Sequence, residues 1–153
     1  MRLLAWTGLL LVAAFSGCRG TRPNHAPASV EEAGESRTSA TAGGTYYVTC
    51  APIPDPIPAN EMFDLDVRVF ADRGMTRPAD DIAIIADADM PAHRHGMNLV
   101  PRSRRIGAGH FRVSGMLFHM PGRWEIVIEV RSLAPASAGS TARERARFEV
   151  LVP

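Results

Sequence analysis

The part of the chain from residue 44 onward carries short apolar runs in which large apolar and polar residues alternate. A period of two is typical of strands that bury one face, because successive side chains of a strand point to opposite sides. In the clearest run, Trp124, Ile126, Ile128 and Val130 share one side. Gly, Pro, Asn and Asp separate the runs, as in turns. The pattern predicts no helix and seven strands, at 45–50, 61–71, 81–88, 98–102, 110–118, 123–131 and 143–152.

Seven short strands between residues 44 and 153 indicate one small all-β domain with a single core. Their spacing fits antiparallel sheets that pack face to face. We therefore expect an immunoglobulin-like antiparallel β-sandwich, with a small closed barrel as the alternative. In the strand at 110–118, the alternation predicts that Phe111, Val113 and Leu117 face the core.

The first residues have the pattern of a bacterial export signal. Arg2 is followed by an apolar run over 3–15, then by two small residues and Cys18. The run is shorter than the roughly 20 apolar residues of a spanning helix, so it predicts a signal peptide at 1–17 that is removed. Small residues before a cysteine resemble the bacterial lipobox. This implies that Cys18 carries lipid, which would attach the protein to a membrane.

Residues 18–43 are rich in Gly, Ser, Thr, Ala, Pro, Glu and Arg, with no aromatic residue. Such a composition buries too little apolar surface to fold, so we expect a flexible spacer between the lipid and a folded domain at 44–153. Arg19, rather than an Asp that would retain a lipoprotein in the inner membrane, follows the lipidated cysteine. In a Gram-negative cell, this favours the outer membrane, with the domain facing the periplasm.

The predicted mature chain is close to electrically neutral. All 17 basic residues are Arg, against 16 Asp and Glu, and removal of residues 1–17 takes away one Arg. A neutral chain lacks the basic field on which nucleic-acid binding relies, so nucleic acid is not an expected partner. With lipid on Cys18, Cys50 has no partner in its own chain. We expect Cys50 to be buried, with a bond to another chain or a soft-ligand role as alternatives.

The segment 89–97 contains two imidazoles and two thioethers between predicted strands. His93, His95 and Met97 share parity, so an extended backbone would place all three on one face. Imidazole with thioether suits copper, Cu(I) especially, whereas zinc prefers thiolate, imidazole and carboxylate, and calcium takes oxygen ligands. We therefore expect these three residues to bind a copper ion, with Met90 as a further candidate.

A second cluster of donors, at 116–122, contains Met116, His119 and Met120. Two predicted strands separate it from the first, and an antiparallel pair returns the chain to the end that it left. Both clusters are then expected at one end of the domain. Met120 is the expected fourth ligand and His119 a further candidate, although the donors outnumber what a three- or four-coordinate Cu(I) site needs. Met116 or Met120 could instead pack beneath the loop as core.

The motif M-P-x-H-x-H-G-M at 90–97, followed by M-P-G-x-W at 120–124, resembles the YtkA-like family, which is related to FixH. The resemblance covers about residues 45–151. It implies a small extracytoplasmic β-sandwich, often lipid- or membrane-anchored, that takes part in copper handling or cytochrome oxidase assembly. A copper transporter or an oxidase subunit would then be a partner. His119 lies outside the family pattern.

The chain has no serine elbow, no phosphate-cradling loop and no Glu inside the two clusters to act as the base of a hydrolytic zinc site. We therefore expect a binding protein rather than an enzyme: an extracytoplasmic lipoprotein that binds copper. The alternative is a metal-independent interaction module whose Met- and Pro-rich loop contacts a membrane partner.

Overall fold

A computed structural model of the chain describes residues 34–134 and 143–153. The predicted signal peptide, Cys18 and most of the predicted spacer lie outside the described residues. Within the described residues, no helix is long and apolar enough to cross a membrane.

The described residues form two antiparallel sheets that enclose one core, which confirms the predicted all-β sandwich. The larger sheet has the strand order β1-β2-β3-β7-β6 and the smaller one the order β5-β4-β8-β9. These nine strands of the described part are β1 (Arg37–Ala40), β2 (Tyr47–Ile53), β3 (Met62–Phe70), β4 (Ile82–Met90), β5 (His95–Gly96), β6 (Arg102–Gly107), β7 (His110–Leu117), β8 (Gly122–Ser132) and β9 (Arg143–Val152).

The core follows from the alternation of apolar residues. Every second residue of β3 is buried, from Phe63 to Val69, while the residues between them face outward. In β8, Trp124, Ile126 and Ile128 are completely buried, as the sequence predicts. The inner faces of the two sheets thus remove their apolar side chains from water, and this burial is the main force that holds the sheets together.

A bulge changes the predicted facing of β7. Gly115 has a φ of 85°, and the pairing of β7 with β3 shifts in register at this point. An extra residue reverses the alternation that follows it. Met116 and Phe118 are therefore completely buried, and Leu117, which was predicted to face the core, is only partly buried. The prediction for Leu117 was wrong because periodicity alone does not show where a bulge lies.

Besides the two-residue strand β5, which was not predicted, two strands differ from the predicted ones. The strand expected at 98–102 lies instead at Arg102–Gly107, where every residue is exposed, so β6 shows no apolar alternation. Strand β1 lies inside the segment 18–43 that was expected to be spacer. Its residues are small or polar, and it is held by backbone pairing with β2 and by contacts from the distant β9. Neither arrangement leaves a hydrophobic signal in the sequence.

The pairing of β4 with β8 brings the two donor clusters together. Asp89, at the end of β4, lies opposite Glu125, near the start of β8. The chain leaves β4 into the segment 91–94, and it enters β8 from the segment 118–121. Both segments therefore emerge at the same end of the sandwich, as the count of strands predicted.

Candidate metal centre

The first donor segment forms a tight turn rather than an extended strand. The backbone amides of His93 and Arg94 both donate to the carbonyl of Met90, at 3.0 Å each, and Arg94 has a φ of 56°. The chain then returns along β4 as the short strand β5, in which His95 lies opposite Met90. Direct partners in an antiparallel pair point to the same face, so His95 lies on the inner side. The exposed His93 is left on the turn.

The second donor segment is positioned by Trp124, which is completely buried. The ring of Phe118 stacks on the indole, with centroids 4.5 Å apart and an angle of 8° between the planes. The indole Nε1 donates to the carbonyl of Met120 at 3.0 Å. These two contacts hold the residues on both sides of His119, and so fix the backbone from which its side chain extends.

The imidazoles of the two segments meet above Trp124. The ring centroids of His95 and His119 are 5.1 Å apart, and the indole lies 5.8 Å from His95 and 5.5 Å from His119, edge-on to both. His93 lies 5.8 Å from His95, on the outer side of the pair. The structure therefore brings His119, for which the family motif gave no role, into the centre of the cluster.

The Nδ1 atoms of His95 and His119 are both buried, and neither has a hydrogen-bond partner among the described residues. A buried polar atom without a partner costs about 1–3 kcal/mol, so most such atoms in native proteins are paired with protein, water or a ligand. Two of them from facing imidazoles suggest a shared ligand. A metal ion is one ligand that would satisfy both nitrogens at once, and the residues present fit it.

The methionines divide into two groups. Met97 and Met120 are partly buried at the edge of the core, within the two donor segments. Met90 and Met116 are fully enclosed in the core. Met90 remains a predicted ligand, but its burial favours a packing role, because its terminal methyl fills the space above Gly122.

Oxygen and thiolate donors contribute little to this cluster. The described residues contain no group of three His, Cys, Asp or Glu side chains that is arranged to hold a metal ion. Cys50 lies in the core, as expected, and burial raises the pKa of its thiol to about 12. Such a thiol is a poor source of thiolate. The buried and half-buried donors that the two segments offer are therefore imidazole and thioether, while the carboxylate of Asp89 lines the cavity beside His95.

Sequence reasoning identified the donor segments but missed the role of Trp124 beneath the histidines. Its position in the sequence is that of an ordinary core residue of β8. The sequence contains one signal for this role. Trp124 follows the motif Met-Pro-Gly by two positions, which places a large ring next to the second donor segment.

The chain matches no protein-family model and no curated protein. Among solved structures, it is similar to a copper-bound variant of FetP from uropathogenic Escherichia coli strain F11, with 8% identity and a TM-score of 0.51 over 79% of this chain and 90% of that chain. A copper-bound variant of P19 from Campylobacter jejuni is 7% identical, with a TM-score of 0.44 over 79% of this chain and 97% of that chain. At these identities the likeness concerns the fold alone. The chain thus shares the β-sandwich fold of FetP.

Proposed function

We propose that this protein binds copper at the end of the sandwich where the two donor segments meet. The observation that carries the proposal is the pair of buried, unpartnered Nδ1 atoms on His95 and His119. These nitrogens come from segments 24 residues apart in the chain, and only the fold brings them together. Met97 and Met120 would supply thioether sulfur beside them.

The chemistry of the donors favours copper over other metals. Thioether sulfur is a soft ligand that suits copper, whereas a structural zinc site needs four ligands drawn mostly from thiolate, imidazole and carboxylate. Calcium and magnesium need oxygen ligands, and the histidine pair offers none. FetP, whose fold the chain shares, was solved with copper bound, which supports the same choice of metal.

We propose a carrier role rather than catalysis. The histidine pair has an exposed edge on the side where His93 lies, so the ion can enter and leave from solvent there. The protein would hold copper outside the cytoplasm, attached to a membrane through lipid on Cys18, and would deliver it to a copper transporter or an oxidase subunit. The predicted export signal and lipidation site support this location.

The proposal is tested by titrating the full chain, kept in detergent, with copper against a chelator of known affinity. We expect the double variant His95→Ala, His119→Ala to bind copper at least about 100-fold more weakly, since even changes outside the direct ligands cost 10- to 100-fold. His110→Ala is the matched control. That histidine contacts Asp66 at 2.7 Å on the outer face of the larger sheet and should not affect binding. An unchanged affinity in the double variant would refute the proposal.

A second candidate function is protein interaction without metal. It is favoured by an apolar rim, formed by Met62, Leu99, Val100 and Leu151, at the end of the molecule that carries the histidines. Met62 pairs with the end of β7, and Leu151 pairs with the start of β8, next to the second donor segment. Leu99 and Val100 follow the first donor segment. Val100 is 92% exposed, and Met62 and Leu151 are each 71% exposed.

A further inference from the structure

We propose that the site is selective for Cu(I), which is held between His95 and His119, with His93 outside the ligand set. This inference rests on the proposed copper-binding function and makes it more specific. It follows from three features of the cluster: the charge of its donors, the side of the sheet on which the carboxylates lie, and the burial of Trp124.

The donors at the cluster are few and neutral. Two imidazoles with buried, unpartnered nitrogens have ring centroids 5.1 Å apart, and the described residues offer no third His, Cys, Asp or Glu with which they could form a metal-binding group. Cu(I) is well served by two or three soft, neutral ligands. Cu(II) prefers a tetragonal arrangement of nitrogen and oxygen ligands, which this cluster cannot complete from its own side chains.

The two carboxylates nearest to His95, those of Asp89 and Glu125, line the same surface cavity as His95. Asp89 precedes the buried Met90, and Glu125 follows the buried Trp124, so alternation directs both carboxylates outward. His95 lies opposite Met90, on the inner face. Glu125 is also engaged by the guanidinium of Arg147. Of the two histidines, only His95 borders the cavity that these carboxylates line, and the carboxylate of Glu125 is already paired with Arg147.

Trp124 removes water from one side of the site. Its indole is completely buried, and the ring centroids of His95 and His119 lie within 6 Å of its own. A water-excluding apolar floor leaves no room beneath the pair for the water ligands that would complete the coordination of Cu(II). The same floor stabilises an ion of lower charge, because the cost of transferring an ion out of water falls with its charge.

The position of His93 separates it from the pair. His93 is exposed on the turn, and its ring is 5.8 Å from His95, on the outer side. The Nδ1 atoms of the other two histidines, by contrast, are buried. We therefore expect His93 to be dispensable for equilibrium binding of Cu(I).

The test compares the two oxidation states on the full chain in a Trp6→Phe background, in which Trp124 is the only tryptophan. Cu(I), kept reduced without oxygen, and Cu(II) are each titrated against a chelator specific for that state. We expect Cu(I) to bind more tightly than Cu(II), with one ion per chain, and to quench the fluorescence of Trp124. His93→Ala should leave the Kd for Cu(I) unchanged.

Two variants of His119 provide the matched comparison. His119→Ala should weaken Cu(I) binding at least about 100-fold, by the same reasoning about lost ligands. His119→Met keeps a soft, neutral donor and should retain most of the affinity for Cu(I). Thermal unfolding of each variant establishes that it is folded. A folded His119→Met protein that loses Cu(I) as completely as His119→Ala would contradict the inference.

The failures of the two proposals can be distinguished. If neither oxidation state binds, the proposed copper-binding function fails and the selectivity fails with it. If Cu(II) binds at this site as tightly as Cu(I), or if His93→Ala abolishes binding of Cu(I), only the selectivity for Cu(I) between His95 and His119 is overturned.

Discussion

At the scale of single residues, the histidine cluster depends on side chains that pack rather than bind. Trp124 fixes the second donor segment by stacking on Phe118 and by donating to the carbonyl of Met120. The terminal methyl of Met90 packs against Gly122 at the start of β8. Gly122 lies between these contacts, because it begins β8 between Met120 and Trp124 and packs against the terminal methyl of Met90.

Gly122 has a φ of 124°, a conformation that L side chains rarely adopt, and a Cβ there would lie 2.6 Å from the terminal methyl of Met90. We expect Gly122→Ala to lower the free energy of unfolding by about 1–3 kcal/mol, mainly through backbone strain. Denaturant unfolding measures the change. Gly107→Ala is the control, because its Cβ would meet His110 at an ordinary 3.5 Å. Equal stability of the two variants would contradict the role of Gly122.

At the scale of elements, the hairpin of β1 and β2 is attached to the other sheet by a buried carboxylate and a backbone hydrogen bond. The hydroxyls of Thr41 and Thr45 both donate to Glu144 of β9. The backbone amide of Ala42 also donates to the carbonyl of Arg145, at 2.9 Å. Burial by itself would raise the pKa of Glu144, but the hydrogen bonds from Thr41, Thr45 and nearby backbone amides outweigh it and hold the pKa below its usual value of 4.5.

Because the pKa of Glu144 is lower in the folded state than in the unfolded state, its contribution to stability is complete above about pH 4.5 and is lost as the pH falls through the folded value. We expect Glu144→Gln to lower the free energy of unfolding at neutral pH by about 1.5–3 kcal/mol, the usual worth of hydrogen bonds to a charged group. It should also flatten the dependence of stability on acid pH.

Glu149→Gln is the control for this measurement. Glu149 pairs with Arg123 at 3.0 Å, but both side chains are about 70% exposed, and such surface pairs contribute little. Urea unfolding between pH 3 and pH 7 compares the variants. If Glu144→Gln and Glu149→Gln show the same stability and the same pH profile, the carboxylate of Glu144 does not hold the hairpin in place.

At the scale of the whole molecule, the sandwich places its copper candidates and its most exposed apolar side chains at one end. This arrangement allows the two proposed functions to be separated by variants of the rim. We expect Met62→Ser with Val100→Ser to leave copper affinity unchanged, because neither residue belongs to the donor segments. If the rim binds a membrane protein, the double variant should reduce its capture from membranes, measured with and without a copper chelator.

Capture that requires copper and survives the change of the rim would support the copper-binding function alone. Capture that is lost with the rim variants and is indifferent to the chelator would support the interaction module. Leu133→Ser is the control, since Leu133 is 65% exposed and hydrogen-bonded to Asp81, at the opposite end of the strands.

The sequence by itself determined the class of fold, because period-two alternation in β3, β8 and β9 leaves a one-sided apolar pattern that only paired sheets can bury. It also determined which segments carry soft donors, since His and Met are visible wherever they stand. Strands without apolar alternation, such as β1 and β6, could not be predicted, because backbone pairing and distant side chains hold them.

Only the tertiary structure decided which donors meet. Because of the turn at Arg94, His93 is exposed, and because of the bulge at Gly115, Met116 is buried in the core. Above Trp124, the ring centroids of His119 and His95 are 5.1 Å apart. Positive φ angles, register shifts and contacts between residues far apart in the chain set these positions. Local periodicity contains no information about any of them.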